Sequence, residues 1–322
     1  MIRLFTGNRF GVLLFIPIII VCFFLFNQLI HFYNHGNPDF GIWNLSGFLN
    51  KMPFWLNVIF ISFNALGINI LFNRNEFLDK NTFIVALLYV LILSLFPNFY
   101  VLDGNLVAQT LTLLTLNQFF KLNQNSDGRK HIFNGLFLFG TAVTFFPPLL
   151  LAAPIILFIP LIIRPLVIRE LVVGFTGLIL PLAYGFLYLH FGNQFDNFYN
   201  QNIRFSKETL DADDLLVLVI FGLLFFIGFT AMFDRISKSS IRLKKQVQIL
   251  IVFTVLSIGF GIINFILKNQ INWLAIISVP FSFILTFAFH LKRFNKIAAI
   301  FFYLLLFYSI LKFFIFAPSG GN

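Results

Sequence analysis

Charged side chains are scarce in this chain. Asp, Glu, Lys and Arg make up 11% of its 322 residues, whereas hydrophobic residues make up 59%. A soluble globular domain carries about 25% charged residues, so this composition excludes a water-covered domain. The apolar residues come in runs of about 15 to 21 with almost no ionisable groups, the length that a hydrocarbon core about 30 Å thick requires. We therefore predict one all-α integral-membrane domain over 1–322, a bundle of about eleven transmembrane helices.

Cysteine and the common catalytic motifs are also lacking. The one cysteine, Cys22, lies inside the first apolar run, which excludes a disulfide framework and a Cys-based metal site. The sequence contains no Walker A sequence, dinucleotide fingerprint, HExxH or nucleophile elbow. An ATP-driven protein or a hydrolase of a common kind is therefore not expected. His31 and His35 are four residues apart, so on a helix they would share a face and could bind a metal together. Because no clear third ligand accompanies them, we predict no metal ligand here.

Basic residues are distributed unevenly along the chain and predict its orientation. With a cytoplasmic N-terminus and an extracytoplasmic C-terminus, 17 of the 22 Lys and Arg residues face the cytoplasm and 5 face outward, as the positive-inside rule requires. The net charge of +10 thus follows membrane topology, and no nucleic-acid partner is predicted. The residue bias is that of an AT-rich bacterial genome, so we expect the bacterial inner membrane. The predicted spans are 10–30, 54–73, 82–97, 106–120, 133–146, 149–163, 171–190, 214–233, 248–266, 272–290 and 297–316.

Residues 133–163 are apolar throughout and could form one long helix or a tight hairpin. One helix of that length would extend about 46 Å, too far for a bilayer without strong tilt. Pro147 and Pro148 stand at the middle, where they would break a helix. Basic residues flank both ends of the segment, which requires an even number of crossings. We predict the hairpin.

Few titratable residues lie inside the predicted spans, which argues against an ion pump or a proton-coupled transporter. Two longer loops, 31–53 and 191–213, face outward and mix Asn and Asp with aromatic side chains. Such a mixture suits sugars, which offer hydroxyl edges and apolar C–H faces, but it is also ordinary at a membrane boundary. Along the polar helix that contains span 106–120, the preceding Asn105 shares a face with Gln109 and Thr112. That face lines either a wet cavity or an interhelical contact. The basic loop 234–247 either binds anionic lipid headgroups or only fixes topology.

The stretch from Phe96 to His190 resembles the GT-C superfamily of polytopic glycosyltransferases. A span ends outside in FPN, a polar-faced helix returns to the basic loop SDGRKHI, and a proline-marked hairpin ends in Arg164-Pro165. With the first span and first outer loop, the likeness covers about 190 of the 322 residues. It implies a GT-C-like core over 1–190, an extracytoplasmic loop over 191–213 and additional helices over 214–322. The chain also resembles an uncharacterised bacterial integral-membrane family.

The GT-C resemblance implies a sugar donor linked to polyprenyl phosphate and a catalytic carboxylate in the first outer loop, often one of an acidic pair. That loop contains Asp39 and no second acid, so Asp103 is the candidate for a second carboxylate. Asp39 is expected to act as general base on the acceptor hydroxyl. A paired acid commonly helps to hold a metal, so a divalent metal ion is left open as a cofactor. The candidate substrate-binding residues, three of them for the lipid phosphate, are Arg204, Lys207, Lys51, Trp43 and Gln109.

Three functional classes are left open. The first is a glycosyltransferase, or a degenerate relative, at the outer face of the inner membrane, with membrane lipids and a polyprenyl-phosphate sugar as partners. The second is a non-catalytic subunit of an envelope assembly for secretion, motility or polysaccharide export, which the missing acidic pair favours. The third, a transporter or polysaccharide polymerase, fits less well. Polymerases usually show several arginines in large outer loops, and here only Arg204 is predicted outside.

Overall fold

A computed structural model describes residues 2–7, 10–30, 39–43, 54–122, 127–163, 165, 167–192, 195, 212–237, 239–268, 272–290 and 295–315. Within these residues the chain is helical and contains no strand, which confirms the all-α prediction. The described ranges also contain 3-10 helices at Phe10–Leu14, Pro97–Phe99, Pro147–Ala152 and Asn272–Ile277. The α-helices of the described residues are α1 (Ile2–Phe5), α2 (Phe15–Ile30), α3 (Phe54–Arg74), α4 (Ile84–Leu93), α5 (Gly104–Leu122), α6 (Arg129–Phe145), α7 (Ala153–Phe158), α8 (Pro160–Ile163), α9 (Ile168–Phe191), α10 (Ala212–Ser237), α11 (Ile241–Lys268), α12 (Ser278–His290) and α13 (Asn295–Ile315).

Five helical segments in the described part of the chain are long and apolar enough to cross a membrane: Gly11–Ile30, Phe54–Arg74, Ile168–Phe191, Leu215–Ser237 and Asn295–Phe314. The chain therefore has the character of a helical membrane protein. Shorter apolar segments of the described chain lie at Ile84–Leu93, Pro147–Ile163 and Ala275–His290. Each predicted span overlaps a helical segment of the structure. The number of crossings and the side that each terminus faces stay predictions.

Helix α4 lies at the centre of the bundle. All ten of its residues are buried, and it packs against α3, α12, α13 and α2. Ten helical residues extend only about 15 Å, half the thickness of a hydrocarbon core. A helix this short and apolar is stable in a membrane only when protein surrounds it and covers its two ends.

Lys312 of α13 covers the C-terminal end of α4. The side chain is fully buried, and its Nζ donates a hydrogen bond to the carbonyl oxygen of Ser94 at 2.5 Å. The Tyr100 hydroxyl donates to the same oxygen at 3.3 Å, and Nζ lies 5.6 Å from the centroid of the Tyr100 ring. A cation is favourable at a helix C-terminus, where backbone carbonyls lack partners. Lys312 therefore ties α13 to the core of the bundle.

The segment 133–163 is interrupted at its two prolines, as predicted. Helix α6 ends at Phe145, Phe146 leaves the helical conformation with φ −135° and ψ 82°, and a 3-10 helix begins at Pro147. Helix α7 then packs against α6. A proline cannot donate the backbone hydrogen bond that would continue the helix, so the chain folds back here.

Helices α6 and α9 approach each other closely at glycines. A Cβ on Gly140 would lie 2.6 Å from the Leu178 carbonyl oxygen, and one on Gly177 would lie 2.8 Å from the Phe133 carbonyl oxygen. Small residues are enriched where membrane helices pack backbone to backbone. This packing fixes the C-terminal ends of both helices relative to each other, and the candidate site lies beside them.

Hydrogen bonds between distant segments define two ends of the bundle. At one, which we call the Asp39 end, Asp39 bonds to the start of α5 at Gly104, and the next turn bonds to the end of α6 at Thr144. At the other, which we call the Asp79 end, Asp79 bonds to Arg235 at the end of α10. Successive helices run between these two ends.

Candidate functional site

The segment Asp39–Trp43 docks between two helices at the Asp39 end. The Asp39 carbonyl oxygen accepts a hydrogen bond from the Gly104 amide at 2.7 Å, and the Ile42 amide donates to the Thr144 carbonyl oxygen at 2.9 Å. Ile42 is buried, whereas Asp39 is exposed. The backbone of the segment is thus bonded on both sides, while the Asp39 side chain faces outward.

Gly41 makes the docked turn sterically feasible. Its φ is +62°, in the region that glycine adopts without penalty. A Cβ at this position would lie 2.6 Å from Pro147 Cδ and 2.7 Å from the Thr144 carbonyl oxygen. The Gly41 amide donates to Asp39 Oδ1 at 2.8 Å, so one carboxylate oxygen of Asp39 closes the turn.

Asp103 lies at the start of α5 beside this segment. Its Oδ1 accepts a hydrogen bond from the Leu106 amide at 3.0 Å, the geometry of a helix N-cap. A Cβ on Gly104 would overlap the Phe145 carbonyl oxygen, so only a glycine lets α5 begin so close to the end of α6. Because the Gly104 amide bonds to the Asp39 backbone and Gly104 follows Asp103, the structure brings Asp39 and Asp103 into one loop cluster.

Trp43 and Tyr188 form an aromatic pair next to this cluster. Their ring centroids are 5.2 Å apart, and the Trp43 Nε1 donates to the Thr144 hydroxyl at 2.9 Å. Tyr188, near the end of α9, is 40% exposed and Trp43 is half-buried. A partly exposed aromatic wall beside a carboxylate can contact the C–H face of a sugar while the carboxylate accepts from its hydroxyl groups.

Gln109 lies deeper, in a buried polar network. Its Oε1 accepts from the Tyr89 hydroxyl at 2.7 Å and from the Ser278 hydroxyl at 3.3 Å, and its Nε2 donates to Asn105 at 3.0 Å. The side chain is fully buried. These bonds join α5 to α4 and to α12, so the geometry favours the interhelical alternative over substrate contact for this residue.

The remaining sequence candidates lie outside the described residues. They are Lys51, Arg204 and Lys207, expected to hold a lipid phosphate, and the histidines His31 and His35.

A metal centre was left open for this site. Within the described residues, no three His, Cys, Asp or Glu side chains are close enough to share an ion. Asp39 and Asp103 each commit one oxygen to a backbone amide. The divalent metal ion stays a prediction, and we derive no chemical step through a metal.

Sequence reasoning missed three contributors to this end of the bundle. Thr144 accepts from both the backbone and the Trp43 side chain, yet it resembles any other threonine in an apolar run. Gly41 could have been noticed in the triplet Asp-Phe-Gly, where an Asx turn followed by glycine is a common pattern. Tyr188 is one of many aromatic residues at a predicted boundary, and only its contact with Trp43 distinguishes it.

No protein-family model, curated protein or solved structure matches this chain. The likeness to the GT-C superfamily therefore stays a prediction from the sequence.

Proposed function

We propose that this chain is a GT-C-like glycosyltransferase, or a degenerate relative, of the bacterial inner membrane. In this proposal the chain crosses the membrane about eleven times, with its N-terminus in the cytoplasm and its C-terminus outside. The Asp39 end then faces outward, and the enzyme transfers a sugar from a polyprenyl-phosphate donor to an acceptor hydroxyl.

One observation carries the proposal: the docked segment Asp39–Trp43 places an exposed carboxylate, the start of α5 and an aromatic pair side by side. The start of α5 is already capped, since the Gly104 amide donates to the Asp39 carbonyl oxygen and the Leu106 amide donates to the Asp103 carboxylate. A site that combines a base with an aromatic face suits an acceptor hydroxyl on a sugar. The segment comes from the outer loop in which the resemblance expects the catalytic carboxylate.

In the proposed reaction Asp39 acts as general base. It accepts the proton of the acceptor hydroxyl while that oxygen forms a bond to the anomeric carbon of the donor. The bond between that carbon and the phosphate oxygen breaks, and polyprenyl phosphate leaves with the electron pair. Cationic side chains such as Lys51, Arg204 and Lys207 would stabilise the leaving phosphate.

The alternative is a non-catalytic subunit of an envelope assembly. The observation that favours it is that each carboxylate has a structural use: Asp39 closes a turn and Asp103 caps a helix. In that case the docked segment is a recognition surface for another envelope protein.

The two functions are separated by Asp39→Asn in a deletion strain, with lipid-linked sugars and envelope glycans profiled by mass spectrometry. Asparagine keeps an oxygen that can accept from the Gly41 amide, so the turn is retained and only the base is removed. The enzyme proposal expects a polyprenyl-linked sugar to accumulate and one glycan residue to be lost, with repair by wild type and not by Asp39→Asn.

Two further variants serve as controls. Asp127→Asn removes a carboxylate whose side chain is 59% exposed and paired with Arg129, and it should restore the profile fully. Asp39→Ala removes both the base and the turn, and it should also lower stability. Full repair by Asp39→Asn would refute the enzyme proposal. Co-purification of an envelope partner that Asp39→Ala abolishes, with repair by Asp39→Asn, would support the subunit alternative.

A further inference from the structure

A half-open cavity of about 170 Å³ lies at the Asp79 end of the bundle, away from the proposed sugar site. It is formed by the loop before α4 and by the C-terminal ends of α10 and α12. An apolar cavity of about 150 Å³ accommodates a benzene molecule, so this space is large enough for a phosphate group. Its lining residues are Leu78, Asp79, Lys80, Arg235, Phe287 and His290.

The side chains that line the cavity include two cations, Lys80 and Arg235, and one carboxylate, Asp79. Arg235 Nη2 donates to Asp79 Oδ1 at 2.6 Å, and because the Asp79 side chain is 84% exposed, water screens its charge. The Arg235 Nε is buried and has no acceptor among the described residues. Within that same part of the chain, Lys80 makes neither a hydrogen bond nor an ion pair.

Helix ends alone do not explain this arrangement. Arg235 lies in the last turn of α10, where a cation is favourable beside the unpaired carbonyl groups. Lys80 lies in the loop that precedes α4, so no helix C-terminus accounts for its place at the cavity. An anion held between Lys80 and Arg235 would use both cations.

The depth of the cavity matches that of lipid headgroups. Arg235 is two residues from the end of Leu215–Ser237, one of the long apolar segments, and His290 ends the apolar segment Ala275–His290. Side chains at such ends lie where the hydrocarbon core gives way to lipid phosphates. Leu78 and Phe287 add apolar wall for the glycerol and upper acyl part of a lipid.

We propose that this cavity is a phosphate-binding site occupied by the headgroup of an anionic phospholipid, with Lys80 and Arg235 as its cationic donors. Basic pockets between membrane helices bind anionic headgroups in this way. Inorganic phosphate offers the same chemistry, and it is the other source that the experiment must separate.

The test uses the full-length chain, purified in detergent and stripped of lipid. Phosphatidylglycerol, phosphatidylcholine and inorganic phosphate are titrated separately, with bound lipid counted by native mass spectrometry and thermal unfolding recorded in parallel. Wild type should prefer phosphatidylglycerol to phosphatidylcholine. Lys80→Gln and Arg235→Gln should each weaken phosphatidylglycerol binding about fivefold, the usual effect of one basic residue near a lipid surface.

Arg129→Gln is the matched control, because it removes one cation at the same end of the bundle from an exposed pair with Asp127. Lys80→Gln is not expected to impair folding, since Lys80 is exposed and makes no hydrogen bond or ion pair within the described part of the chain. Equal binding of the two lipids, or a loss with Arg129→Gln as large as with Lys80→Gln, would overturn the proposal. If millimolar phosphate displaced the lipid, the proposal of a lipid occupant would be wrong, and the site would be assigned to a soluble anion.

Discussion

Replacing Gly41 with alanine tests whether the docked segment is held as the structure indicates. The residue has φ +62°, a conformation that costs an alanine about 1–2 kcal/mol. The new Cβ would also lie 2.7 Å from two backbone carbonyl oxygens, those of Thr144 and Phe145, and 2.6 Å from Pro147 Cδ. None of these atoms is the free end of a flexible side chain, so an overpacking cost of about 1–3 kcal/mol is expected.

The conformational and overpacking costs sum to about 2–5 kcal/mol. This sum can be compared with the free energy of the hydrogen bonds that hold the segment Asp39–Trp43 in place. Two backbone hydrogen bonds and the Trp43–Thr144 bond contribute about 0.5–1.5 kcal/mol each. The strain is of the same size, so the segment should undock while the bundle stays folded. The undocked population should rise between about 30-fold and several thousandfold.

Hydrogen exchange followed by mass spectrometry measures this population directly. In Gly41→Ala the Ile42 and Gly104 amides should exchange faster, while peptides from α4 keep their protection. Gly222→Ala is the matched control, because among the described residues a Cβ at Gly222 would meet no heavy atom within 4 Å beyond its chain neighbours and its own helix backbone. If Gly41→Ala exchanged as slowly as the wild type, the described docking would be incorrect.

Three further substitutions probe the same contacts by thermal unfolding in detergent. Trp43→Phe should lower the free energy of unfolding by about 1 kcal/mol, because it removes the hydrogen bond to Thr144 and keeps the ring contact. In a double-mutant cycle with Thr144→Val, a coupling energy near zero would argue against that hydrogen bond. Gln109→Leu should lower the free energy of unfolding by about 2–3 kcal/mol, since it leaves several buried polar groups of its network without a partner. An unchanged melting temperature would contradict this prediction. Lys312→Glu should lower the free energy of unfolding by at least about 3 kcal/mol, because a buried carboxylate would face the Ser94 carbonyl oxygen. An equal loss of stability in Lys312→Met, which removes the charge without reversing it, would contradict this prediction.

The two proposed sites make independent claims about the protein. Loss of glycan repair in Asp39→Asn with intact lipid binding would support the sugar site alone. Loss of phosphatidylglycerol preference in Lys80→Gln with a normal glycan profile would support the headgroup site alone. The two sets of residues lie at opposite ends of the bundle, so effects on one should leave the other unchanged.

The sequence by itself determined the helical membrane character of the chain and the position of its helices. Runs of apolar residues and the break at Pro147 are local properties, and local properties suffice because a segment in lipid must satisfy its own backbone hydrogen bonds. The two candidate carboxylates, Asp39 and Asp103, could also be named from the sequence. So could the polar face that contains Gln109, although its two possible roles could not be separated.

Only the tertiary structure decided which of these residues meet. Asp39 and Gly104 are far apart in the chain, and the two helices described between them, α3 and α4, are predominantly apolar. In a membrane, water does not select one face of a helix for burial, so the sequence pattern does not reveal packing partners. Close approach at Gly104 and Gly140 and the capping of Ser94 by Lys312 depend on how whole helices fit together. These contacts place Asp39 at a shared site and bury Gln109.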